Sequence, residues 1–141
     1  MAVVKADGYG HGAETVARAA LQGGATSLGV ATLQEGLELR RAGLEAPVLL
    51  LSNLNEPDDL RTCLHWRLMP TLSSLRDAQL CNALAADSGR CFDVQLKIDT
   101  GMARLGCSLN EGHQTAAELN SLEHLNLEGV YSHLACADEP N

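Results

Sequence analysis

Short runs of consecutive apolar residues alternate along the chain with stretches in which apolar residues recur every three or four positions. The first pattern suits a strand covered on both faces and the second a helix with one buried side. Residues 1–4 are the first such run, and residues 13–22 follow as a helix with Val16, Ala17, Ala20 and Leu21 on one side, stopped by Gly23 and Gly24. After a second run at 27–31, Thr32 is placed to cap a helix over 33–42. Leu33, Leu37 and the aliphatic part of Arg40 or Arg41 would line one side of that helix, and Gly43 would end it. Residues 48–51 predict a third strand. Asn55 is placed as the next N-cap, with Pro57 in the first turn and Glu56, Asp58 and Asp59 complementing the helix dipole. Residues 68–72 predict a fourth strand, irregular or at an edge because of Pro70. Ser73 or Ser74 opens a helix to about residue 86, 92–98 predict a fifth strand, 111–122 a helix and 127–132 a sixth strand.

The alternation is βα throughout, so the fold class is α/β with a parallel sheet, and right-handed crossovers leave a barrel or a doubly wound sheet as the arrangements. Periodicity does not separate the two. With no repeat, low-complexity tract or linker, residues 1–141 predict one domain.

Composition narrows the partners. At 141 residues and 45% hydrophobic content the chain suffices for one globular unit with a sizeable core. The formal net charge of -8 argues against nucleic acid or an anionic membrane surface, which select for clustered Lys and Arg, and leaves small molecules as the expected ligands. No run approaches the ~18 apolar residues of a membrane span and no charged leader precedes the first strand, so the expected location is cytoplasmic. Cys63, Cys81, Cys91, Cys107 and Cys136 form no CxxC pair, which favours reduced thiols, most of them small buried hydrophobes, over a metal site.

The chemistry concentrates at strand ends. Lys5 leaves the first strand at its C-terminal edge, where βα loops converge in parallel architectures. A partly buried lysine at such an edge holds its proton less readily, and a neutral amine can condense with an aldehyde such as that of pyridoxal phosphate. The alternative is a lysine simply leaving a strand for solvent. Gly8, Gly10 and Gly12 alternate with Tyr9 and His11, a spacing suited to positive φ or close backbone approach and unlike either nucleotide-binding glycine loop. The string Ala2-Val-Val-Lys-Ala-Asp-Gly-Tyr-Gly-His-Gly12 resembles the cofactor-lysine motif of bacterial alanine racemases. Two further strings follow in the same family's order. One is Gln95-Leu-Lys-Ile-Asp-Thr-Gly-Met-Ala-Arg-Leu-Gly106, which leaves the fifth strand for a glycine-bearing loop. The other is the stretch from Val130 through Tyr131 and His133 to Glu139.

The resemblance implies a fold, a cofactor and a set of roles. The fold is part of a (β/α)8 barrel of the TIM type, about six βα units of an N-terminal domain. A complete barrel needs about 250 residues, so the chain would be a piece of a larger protein whose C-terminal β domain lies elsewhere. The cofactor is pyridoxal 5'-phosphate, held covalently by Lys5, which would also be one of two catalytic bases. By the same resemblance the Tyr9 hydroxyl contacts the cofactor phosphate, and Arg104 contacts its phenolic oxygen and the substrate carboxylate. Lys97 matches a lysine that some members carbamylate to orient that arginine, and His133 matches a histidine near the cofactor ring. Tyr131 is expected to pack. The implied activity is interconversion of L- and D-alanine for peptidoglycan by a homodimer, with the opposite-face base a tyrosine from the missing domain, so that the segment alone would be inactive. A racemase of broader amino-acid range and a non-catalytic pyridoxal-phosphate homeostasis protein are the alternatives, and the latter lacks the 99–104 string.

Overall fold

A computed structural model describes residues 1–139, which fall into two compact units divided between Thr71 and Leu72. β1 (Ala2–Val3), β2 (Leu28–Val30) and β3 (Val48–Leu50) of the first unit and β4 (Met69–Leu72), which lies in it up to Thr71, pair in that order, all parallel. Between them run α1 (Lys5–Gly10), α2 (Ala13–Gln22), α3 (Leu33–Arg41) and α4 (Pro57–His65). Strands this short are held by what they bury. Leu28, Val30, Val48, Leu49 and Leu50 are all buried, and each such side chain contributes roughly 1.5–3 kcal/mol of transfer free energy.

The helix starts follow cap chemistry. Thr32 accepts the Glu35 N–H while the Glu35 side chain accepts the Thr32 N–H, a complete capping box that fixes the start of α3. The inward face of α3 differs from the expected one. Gly36, Leu37 and Leu39 are buried and Leu33 only half-buried, because Gly36 lets the helix press on Leu50 and Leu68. Arg40 is half-buried and its guanidinium donates to the carbonyls of Leu44, Ala46, Trp66 and Arg67. Asn55 is not the cap of α4. Glu56 occupies that position without a side-chain cap bond, and Pro57, lacking an N–H, reduces the need for one.

Two strands also depart from expectation. In β1 the neighbouring Met1 and Val3 side chains are exposed and only Val4, just past the strand, is fully buried, so the segment is covered on one face. β4 is buried along its whole length, with Pro70 in regular register opposite Leu50. Beside that proline, which has no N–H to give, the Thr71 hydroxyl donates to the Leu50 carbonyl at 2.7 Å.

The second unit contains α5 (Leu75–Asp87), β5 (Phe92–Asp99), β6 (Cys107–Ser108), α6 (Leu109–Asn120) and β7 (Leu125–Ser132). β5 pairs in parallel with β7 and with the two-residue β6, which no apolar run announces. Phe92, Val94 and Leu96 are buried on one face of β5 and Gln95, Lys97 and Asp99 fall on the other, as a period of two requires. Ser74 and Ser108 cap α5 and α6 by accepting the N–H groups of Asp77 and Glu111, which is why α6 starts two residues before the expected position. Against β5, β7 carries one extra residue, Glu128, since Val94 pairs with Leu127 and Gln95 with Gly129. Cys63, Cys81 and Cys107 are buried, as small hydrophobes are, while Cys91 and Cys136 are exposed. No helix among the described residues is long and apolar enough to cross a membrane.

Candidate functional site

In the first unit the chemistry begins where β1 ends. Lys5 is half-buried and is followed by four residues with left-handed dihedrals, Ala6, Asp7, Gly8 and Tyr9, at φ of 51 to 62° and ψ of 36 to 52°. Glycine was expected to supply positive φ here, and Gly8, Gly10 and Gly12 do. Ala6, Asp7 and Tyr9 adopt it too, and each non-glycine residue in that region costs roughly 1–2 kcal/mol. Gly8 is required twice over, since at φ +62° a Cβ would also sit 3.0 Å from Val16 Cγ2 of α2.

The turn is held by bonds of comparable strength. Gly12 N–H donates to the Asp7 carbonyl at 2.9 Å, and the Asp7 carboxylate accepts the Ala13 N–H at 2.7 Å at the start of α2. The Glu35 carboxylate accepts the Ala6 N–H at 2.7 Å. Hydrogen bonds to charged groups contribute about 1.5–3 kcal/mol each, the lower end for exposed ones, so the two carboxylates offset much of the strain. Strain maintained in this way is a mark of functional positions. Its consequence is local: Lys5 stands at the head of the turn, and Tyr9 at its far end is 60% exposed.

In the second unit Lys97 and Asp99 lie on one face of β5, and Arg104 in the loop that follows. The Asp99 carboxylate accepts the N–H groups of Gly101 and Ala103 at 2.9 and 3.0 Å, and those bonds hold its pKa below the ordinary value. The loop's return is equally constrained. At Gly106 a Cβ would lie 2.6 Å from the Asp99 nitrogen, so only glycine lets the chain pass β5 so closely. Lys97 is 4% exposed, with its Nζ 5.7 Å from the ring centroid of Tyr131, its cross-strand partner on β7. Burial lowers the pKa of Lys97, the Arg104 guanidinium lowers it further, and Asp99 partly opposes both. Arg104 is exposed, as is His133 just past β7. Between the two strand ends the Thr100 and Ser132 hydroxyls share a hydrogen bond of 2.6 Å.

Lys5 and Tyr9 therefore share one turn of the first unit, and Lys97, Asp99 and Arg104 form an electrostatically coupled group in the second. Tyr131 packs, as expected, though against a buried ammonium. Glu35 was missed. Its signal was present in Thr32-x-x-Glu35, the capping-box spacing, but that pattern predicts a helix start and gives no hint of the bond to Ala6.

Parallel strands alternating with helices, with polar groups set just beyond the strand ends, define a protein of the parallel α/β class. Comparison with known proteins is more specific. The chain belongs to the alanine racemase family: its N-terminal domain matches over residues 1–141. An alanine racemase of Prochlorococcus marinus is 61% identical over 138 residues, covering 98% of this chain and 36% of that protein. Among solved structures, an alanine racemase of Clostridium difficile in complex with cycloserine superposes with a TM-score of 0.91 at 39% identity, over 98% of this chain and 38% of that one. A histidine racemase of Leuconostoc mesenteroides superposes with a TM-score of 0.88 at 30% identity, over 100% of this chain and 38% of that one. The fold is that of part of the N-terminal TIM-barrel domain of alanine racemases, and the chain spans little more than a third of the length of these relatives.

Proposed function

We infer that this chain is the part of a pyridoxal-phosphate-dependent alanine racemase that carries the cofactor lysine. The observation that carries the reading is Lys5 at the head of a strained left-handed turn that also presents Tyr9, in a chain of this family. The donor set fits the cofactor. A half-buried primary amine suits its aldehyde, an exposed phenol its phosphate, and an exposed guanidinium its phenolic oxygen and a substrate carboxylate.

Pyridoxal phosphate, when bound, draws into its ring the electron pair left on the substrate α-carbon when the proton departs. The remaining work belongs to side chains. Lys5 anchors the cofactor, and its Nζ takes or returns the proton on one face. Tyr9 donates its hydroxyl to the phosphate. Arg104, a planar fork of five donors, holds two acceptors at fixed angles. His133, exposed just past β7, would be among the residues that hold the ring. The neutral amine of Lys97 would add carbon dioxide, release a proton and become a carbamate, and the lowered pKa makes that form easier to reach. That change would turn its repulsion with Arg104 into attraction. The second base, on the opposite face, comes from outside residues 1–141, so this segment alone is inactive. In this reading the full-length enzyme is a cytoplasmic homodimer that supplies D-alanine for peptidoglycan.

A second reading, a racemase of broader amino-acid range, is supported by the likeness to a histidine racemase. The test is racemisation by the full-length protein, wild type and Arg104→Lys, with alanine and with histidine. Alanine turnover that falls about 10- to 100-fold in the variant is expected, the equivalent of the roughly 1.5–3 kcal/mol of one charged hydrogen bond. Comparable wild-type turnover of histidine and alanine would favour the second reading, and unchanged alanine kinetics in the variant would remove Arg104 from the site.

A further inference from the structure

The Glu35 carboxylate is used well beyond its helix cap. One oxygen, Oε2, accepts the N–H groups of Ala31 and Thr32 at 2.7 and 3.0 Å, and the other, Oε1, accepts the N–H of Ala6 at 2.7 Å. A capping box requires the Thr32 bond and nothing more. Ala31 and Thr32 form the link from β2 to α3, whereas Ala6 is the first left-handed residue after Lys5. A single side chain thus joins the loops that follow two neighbouring strands. The link continues, because the Ser52 hydroxyl after β3 donates to the Ala31 carbonyl.

The chemistry of this junction is demanding. Three N–H donors converge on one group, and only an acceptor with two oxygens and no proton satisfies them all. An amide in its place would aim an NH2 at one of those donors. The bond to Ala6 fixes the peptide plane joining Lys5 to Ala6, and with it the direction in which the lysine side chain leaves the backbone.

We propose that Glu35 is a positioning residue for Lys5, holding the left-handed turn in the orientation that presents the amine to the cofactor aldehyde. The proposal rests on the reading of Lys5 as the cofactor lysine. Its role is distinct from that of Thr32, whose hydroxyl accepts the Glu35 N–H at 3.3 Å and serves the helix start alone.

The experiment uses the full-length protein in three forms, wild type, Glu35→Gln and Thr32→Ala, with urea midpoints measured for each. Amide exchange at Ala6 is followed without cofactor, and borohydride trapping of pyridoxal phosphate on Lys5 is followed at subsaturating cofactor. Glu35→Gln should speed Ala6 exchange at least tenfold and cut Lys5 trapping several-fold, while Thr32→Ala lowers the urea midpoint and leaves both readouts near wild type. If Glu35→Gln does not fold, Glu35→Asp, which keeps the charge and shortens the reach, is read against Thr32→Ala for the same contrast. Equal effects of the Glu35 and Thr32 variants would reduce Glu35 to a helix cap and overturn the proposal, as would unchanged Ala6 exchange and Lys5 trapping. A wild type that traps no cofactor on Lys5 would overturn the functional reading and the proposal with it. That outcome is told apart from the others because Ala6 exchange needs no cofactor.

Discussion

Asp99 accepts the N–H groups of Gly101 and Ala103, and those backbone bonds, the one to Gly101 foremost, depress its pKa. Its folded pKa lies below the unfolded value of about 3.9, so its contribution to stability is complete above about pH 4 and is lost as pH falls through the folded value. Asp99→Asn should therefore lower the urea midpoint of the full-length protein at pH 7, and the gap from wild type should close as pH falls below 4. A gap constant from pH 7 to pH 2 would contradict the assignment. At this scale the sequence was legible where a residue type answers a backbone demand, as where Gly8, Gly10 and Gly12 take the positive φ expected of them. It was illegible where a contact joins distant segments. The bond from Ala6 to Glu35 spans 29 positions, and left-handed Ala6, Asp7 and Tyr9 are tolerated only because tertiary bonds hold them.

In the first unit α2 and α3 were readable from spacing, cap and stop, and α2 falls at residues 13–22 as the spacing predicts. Their packing faces were harder to read, because close approach is signalled by a missing side chain. Gly36 of α3 is buried, and a Cβ there would lie 2.9 Å from Leu68 Cδ1 and 3.1 Å from Leu50 Cδ2. Gly36→Val should therefore destabilise the full-length protein by about 1–3 kcal/mol, the usual cost of overpacking a core. The measurement is the urea midpoint, and equal midpoints would show that α3 can move off the sheet freely. β6 escaped detection for a related reason. Two residues carry no period, and the strand exists because Gly106 lets the chain run close beside β5.

Over the whole molecule, the parallel βα class was legible because every crossover returns to an apolar run, but the choice of barrel came from resemblance and was supplied by no periodicity. Among the described residues β1 pairs with β2 alone and β7 with β5 alone, and the chain covers little more than a third of its relatives' length. Lys5 as bearer of the cofactor is tested most directly by chemistry on the full-length protein. Reduction with borohydride in the presence of pyridoxal phosphate, followed by peptide mapping, should place the pyridoxyl group on Lys5. An adduct found mainly on Lys97, or spread evenly over the lysines, would contradict the account.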